Sequence, residues 1–190
     1  MAAQTMMGPG YPLGLFSDYS NHGIEFSVKI REKEQNWLEI FTSDDQIYMT
    51  IVGRDRKFLF DNQGSPILNV RNKTLNFGGE YQIFEGEADT LSLFTVRNKW
   101  TLGGPKMIAN FTNFDDRPIE LQVRGKLLNS DGKILLDDQL VARFEGGILE
   151  PIAGQPNKLE TVSKMTVAPL VDVAMVVTLL VCLQDISSED

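Results

Sequence analysis

Histidine and cysteine are almost missing from this chain: 190 residues carry one of each, His22 and Cys182. No disulfide can close within it, and one imidazole plus one thiol cannot build an ordinary zinc site or a Ser-His-Asp or Cys-His nucleophile system. Positive charge is also short, with 18 Lys and Arg against 26 Asp and Glu and a net charge of −8. Such a balance opposes general affinity for nucleic acid, which gains from counterion release only when cations are in excess. A long apolar run is absent too. The longest, Val173 to Leu183, falls well short of the roughly 20 residues that a membrane-spanning helix needs, so no transmembrane segment is expected.

The first residues, MAAQTMMGPGYPLG, have neither the basic start nor the apolar stretch of a secretory signal, and Ala2 does not permit myristoylation. A cytoplasmic location is expected, in which the sequons at Asn72 and Asn110 carry no meaning. The glycines of Gly8 to Gly14 lack phosphate-loop spacing, and two prolines among them oppose the helix such a loop requires. No cofactor is expected.

What is present is alternation. In IEFSVKIR, Ile24, Phe26, Val28 and Ile30 interleave with Glu25, Ser27, Lys29 and Arg31, the period of a half-buried strand. IELQVRG repeats the pattern, as do IYMTIV, FLFD, PILNV, YQIF, LSLFTV, MIANF, ILLD, LVARF and ETVSKMTV more loosely. Turn signals separate them at Asn62-Gln63-Gly64, Phe77-Gly78-Gly79, Gly103-Gly104-Pro105, Asp131-Gly132 and Glu145-Gly146-Gly147. The count is about a dozen strands. A V-R-x-K repeat beginning at Val70, Val96 and Val123 marks equivalent places in a β-meander.

The closing run PLVDVAMVVTLLVCLQD is decided by length. As one strand, residues 172–184 would extend ~40 Å at 3.3 Å per residue, far beyond their neighbours; as a helix they span ~20 Å at 1.5 Å per residue. Asp172 suits the cap, and Gln184 with Asp185 the end. A helix apolar all round must be enclosed all round. A dozen strands and one such helix predict a mainly β fold, a closed antiparallel barrel enclosing a hydrophobic C-terminal α-helix whose core positions include Val173, Val176, Val177, Leu180 and Val181. Residues 24–186 form this single domain, preceded by a flexible segment, 1–23, rich in Gly, Pro and Ser, and followed by an acidic tail, 187–190. Cys182 is expected to be a buried hydrophobe.

No catalytic or metal-binding residues emerge. His22 sits in a polar turn, and the pairs Asp44-Asp45, Asp115-Asp116 and Asp137-Asp138 lie by turns as solvated acids. Between Arg54 and Lys133, however, 12 basic residues face 10 acidic ones. The V-R-x-K repeats put Arg71 with Lys73, Arg97 with Lys99, and Arg124 with Lys126 on one face of a strand each. These six are the candidate contacts for an anion or a lipid headgroup.

The ending Val167-Ala168-Pro169-Leu170-Val171-Asp172 through Ile186 resembles the C-terminal signature of the LURP-one-related proteins, which share a superfamily with Tubby C-terminal domains and phospholipid scramblases. Phe58-Leu59-Phe60-Asp61 with Gly64, Pro66 and Ile67, then Phe94 to Trp100 and Leu140 to Arg143, resemble further strands of that family. Leu170 stands where the family's P-G-x-D turn has glycine, and Glu85 to Asp89 replaces a D-x-x-G turn. The resemblance covers about residues 24–186 and implies a Tubby-like barrel of twelve strands around a central helix. It also implies a non-catalytic binding or regulatory domain, in a family associated with plant defence, whose partner is an unknown protein or small ligand. The Tubby branch implies an alternative, a peripheral membrane module that binds phosphoinositide headgroups. A carboxylate-based enzyme is the third reading.

Overall fold

Strands whose apolar side chains fall on one face must bury that face, and twelve of them do so here by closing on themselves. The computed structural model describes residues 6–20, 22–73, 79–101, 104–125, 131–152 and 155–188. Its strands are β1 (Phe26–Glu34), β2 (Trp37–Phe41), β3 (Ile47–Val52), β4 (Arg56–Asp61), β5 (Pro66–Asn72) and β6 (Glu80–Glu85), followed by β7 (Ser92–Thr101), β8 (Gly104–Thr112), β9 (Pro118–Gly125), β10 (Gly132–Leu136), β11 (Gln139–Ile152) and β12 (Gln155–Val167). Each pairs antiparallel with the next, and β1 pairs with β12 to seal the barrel. Closure removes the edges of the wall itself, while the outer part of the β11–β12 hairpin, Ile148–Pro151 against Leu159–Val162, extends beyond its pairing with β10 and β1.

The helix α1 (Val173–Ser188) fills the interior. From Val171 to Leu183 no residue is more than 3% exposed. Its β-branched residues cost some tenths of a kcal/mol each in helix propensity, whereas each enclosed aliphatic side chain contributes about 1.5–3 kcal/mol. Burial therefore decides the conformation. Thr178, the one hydroxyl in the run, donates to the carbonyl of Ala174 at 2.8 Å, and Cys182 is fully buried. The helix runs past Gln184 and Asp185, its expected end, to Ser188.

Other departures have local causes. Strand β2, WLEIF, is an addition to the expected strands, with buried Leu38 and Ile40 on either side of Glu39. The turn expected at Glu145-Gly146-Gly147 is instead a bulge inside β11, where the register against β12 shifts between Glu145 and Ile148 and Gly147 has φ +71°. Phe77, Gly78 and Gly103 of the other expected turns lie outside the described residues. Leu170 keeps the glycine conformation at φ +66°, strained by roughly 1–2 kcal/mol for a residue with a Cβ. It is held by its N–H to His22 O at 3.1 Å and by its carbonyl, which accepts from Leu13 N–H at 2.9 Å.

Residues 6–20 belong to the segment expected to be flexible, and they lie across the end of the barrel where the helix begins. Leu13 is fully buried and bridges to Val171. Asp172 caps the helix through Met175 N–H at 3.1 Å, while its second oxygen accepts Leu15 N–H and Phe16 N–H, each at 2.9 Å. Asn113, from the β8–β9 turn, accepts Gly14 N–H at 2.8 Å and donates to Pro12 O at 3.1 Å. Burial raises the Asp172 carboxyl above its ordinary value, against the backbone N–H groups that oppose the shift.

Candidate binding surface

The six basic candidates occupy the wall of the barrel, but not one place on it. The valines that begin the repeats, Val70, Val96 and Val123, point inward on the alternate strands β5, β7 and β9, which puts the following arginines outside. Register then separates them. Arg71 stands opposite Gln82, and Gln82 opposite Thr95, so the row through Arg71 misses Arg97 by one pleat.

Each arginine has its own surroundings. Arg71 lies over the Phe84 ring at 4.7 Å and, with Arg56 and the buried Asn69, holds the loop after β6: Asn69 donates to the carbonyls of Gly86 and Ala88, Arg56 to that of Glu87. That cluster is occupied in fixing a loop. Lys73 and Arg97 both flank Glu80, at 3.7 and 3.5 Å. Lys126 lies outside the described residues.

Lys99 and Arg124 fall on a common row. Lys99 of β7 is opposite Lys106 of β8, which is opposite Arg124 of β9; Arg124 is opposite Lys133 of β10, and Lys133 opposite Arg143 of β11. Five consecutive strands thus place a cation at the same register position, over roughly 19 Å at about 4.8 Å per strand. Like charges set directly opposite one another cost stability. One acid answers the row among the described residues, Asp138 at 3.8 Å from Arg124, and at 89% side-chain exposure it screens weakly. Lys106, Lys133 and Arg143 escaped the sequence reading because nothing local marks them; only the pairing of strands aligns them with the repeat.

Beyond Arg143 the row continues into hydroxyls, Thr166 of β12 and Ser27 of β1, whose oxygens lie 3.2 Å apart. A cavity of about 280 Å³ opens here, lined by Ser27, Lys29, Ser43, Arg143, Lys164 and Thr166, with Val28 and Glu145. Lys164 and Lys29 both bind Glu150, at 2.7 and 3.1 Å, and that pairing, Lys164 first, holds the Glu150 carboxyl below its ordinary value. A second cavity, of about 290 Å³, lies at the other end of the barrel, where Gln184 and Asp185 of the helix meet Glu32 and Lys57, and Asp185 pairs with Lys57.

The acid pairs occupy three separate turns. Asp45, Asp116, Asp137 and Asp138 have left-handed backbone, between φ +48° and φ +65°, a conformation that Asp tolerates in turns. Arg117, then Asn113, holds the Asp115 carboxyl well below its usual range. Among the described residues no three His, Cys, Asp or Glu side chains stand together as a metal site. His22 is more than a surface residue: its ring nitrogens lie 2.7 Å from Val171 O and 2.9 Å from Ile24 O, tying the chain before β1 to the turn before the helix.

These features define a class, twelve-stranded closed antiparallel barrels around a hydrophobic C-terminal helix. The family pattern of the LURP-one-related proteins matches residues 20–185, and the chain belongs to that family. It is similar to protein LURP-one-related 15 of Arabidopsis thaliana, with 26% identity over 144 residues that cover 72% of this chain and 64% of the relative; the matched stretch thus spans less than two thirds of that protein. An X-ray structure of a protein from Arabidopsis thaliana shares the fold, with a TM-score of 0.64 at 21% identity over 90% of this chain and 96% of the other. Among the described residues no helix is long and apolar enough to cross a membrane.

Proposed function

We propose that this domain is a non-catalytic binding module of the cytoplasm that recognises an anionic partner, an acidic protein segment, on the outer wall of β7–β11. The observation that carries the reading is the cationic row from Lys99 to Arg143. The helix occupies the barrel interior, which favours recognition on the outside. Like charges set opposite one another along this row cost stability in the free protein, and an anionic partner removes that cost and speeds encounter. Fluorescence anisotropy with a labelled oligoglutamate peptide tests it. Binding should be saturable and weaken with salt, and Lys99→Glu with Arg124→Glu should abolish it. Retention of binding in the double variant removes the reading.

A second reading is favoured by the exposure of Lys99 and Arg124: a peripheral membrane module for phosphoinositide headgroups, which attract clustered basic residues. Flotation with phosphatidylinositol 4,5-bisphosphate vesicles at moderate salt, lost on charge reversal at Arg97 and Lys99, supports it. No flotation eliminates it.

A further inference from the structure

The cavity between β11, β12 and β1 begins where the row of cations ends, at Arg143. Three of its lining residues, Lys29, Arg143 and Lys164, are cationic, three more, Ser27, Ser43 and Thr166, are hydroxyls, and one, Glu145, is a carboxylate set opposite Lys164 in the register of β11 and β12. Lys29 and Lys164 face each other across the β1–β12 pair, and Lys133 and Arg143 across β10–β11, two like-charge pairs that each oppose folding. Glu150 answers the first pair from one side, at 3.1 and 2.7 Å, and Asp45 adds a contact to Lys29 at 3.3 Å. Arg143 is left unanswered. It makes no ion pair with any described residue, and its Nε is buried without an acceptor, an unfavourable state for a polar group. Ser27 donates to the hydroxyl of Thr166, which leaves the Thr166 proton available to an outside acceptor.

Guanidinium, ammonium and hydroxyl donors converging on a hollow suit a compact oxyanion with several acceptor atoms. A flat acidic surface would need no hollow. The volume, about 280 Å³, accommodates a phosphate and the small group that carries it. We propose that this cavity binds the phosphate group of a phosphate ester, with Arg143 as its principal charge partner and Thr166 and Lys164 as hydrogen-bond donors. The same group could be offered by a soluble ester or a lipid headgroup.

The test is a ¹H–¹⁵N titration with inorganic phosphate at fixed ionic strength. Saturable shifts should appear at the Arg143 side-chain N–H and at the amides of Ser27 and Thr166. Arg143→Gln should weaken binding about thirtyfold or more, the range seen when a charged partner of a buried hydrogen bond is removed. Arg143→Lys keeps the charge without the fork and should fall between, while Lys33→Gln, remote on β1, should bind as the parent does. Phosphatidylcholine vesicles with phosphatidylinositol 4-phosphate form the second arm. Flotation that depends on Arg143 identifies a headgroup as the source, and phosphate shifts without flotation identify a soluble ester. Shifts that never saturate, or that survive both Arg143 substitutions, overturn the proposal. The cavity shares Arg143 with the cationic row, but the row's own test uses Lys99 and Arg124 and can fail while phosphate still titrates Arg143.

Discussion

Removal of the Asp172 side chain is the most direct test of how this fold is fastened. Its carboxylate is fully buried and takes three backbone N–H groups, one from the first turn of α1 and two from the chain before β1. Loss of a helix cap costs about 0.5–2 kcal/mol, and each hydrogen bond to a charged acceptor contributes about 1.5–3 kcal/mol. The three together reach roughly 3.5–8 kcal/mol, from which the relief of burying a carboxylate must be subtracted, and burial is the largest influence on this group. Asp172→Ala should therefore lose about 3 kcal/mol in urea unfolding, at the upper end of ordinary single substitutions.

Asp172→Asn should fall between, because its one amide oxygen can accept on one side only, either from Met175 or from Leu15 and Phe16, while its NH₂ faces the N–H groups on the other. Deleting residues 1–20 removes two of the three donors, so in a double-mutant cycle the alanine substitution should cost about 1–2 kcal/mol, the cap alone. A loss below about 1 kcal/mol in the full chain, or no coupling to the deletion, would refute the reasoning.

Three further outcomes follow from the geometry. A Cβ on Gly14, whose φ is +149°, would meet Asp172 Cβ at 2.0 Å, so Gly14→Ala should release the segment over the barrel end; hydrogen exchange at Leu15 and Phe16 should accelerate to near the unprotected rate, with the amides of β5–β9 unchanged. Cys182 is buried, and that burial pushes its thiol pKa up, so a thiol reagent should modify it only as fast as the protein unfolds; rapid labelling in native buffer would contradict an enclosed helix. For Glu150, the folded pKa is depressed below the ordinary 4.5 by Lys164 and then Lys29. Its contribution is present above that value and disappears as pH falls through the lower folded pKa. The stability gap between the parent and Glu150→Gln should close in acid, and a gap unchanged from neutral pH down to pH 2 would contradict the pairing.

The wall and its plug were legible because each depends on short-range pattern. Alternation in IEFSVKIR and IELQVRG permits one burial solution, and the uncharged run after Asp172 is too long for a neighbouring strand and too short for a bilayer. The bulge at Gly146-Gly147 was missed because paired glycines mark a turn and a bulge equally.

The binding surface was legible only in part, for a different reason. The V-R-x-K repeat put Arg71, Arg97 and Arg124 on equivalent strands and outside the barrel. Whether they meet depends on the stagger between strands, a property of the closed sheet with no local signal. That stagger gave Arg71 to a loop and Arg97 to Glu80, and aligned Lys99 and Arg124 with Lys106, Lys133 and Arg143.

By itself, then, the order of residues determined the elements: which stretches pair as strands, which run must be enclosed as a helix, and which faces carry charge, because a residue's own neighbours set those energies. Only the tertiary structure decided what converges. Asp172 reaches Leu15 across 157 positions, and Arg143 shares a wall with Ser27 through β12, because closure of the barrel brings together groups that the chain keeps apart.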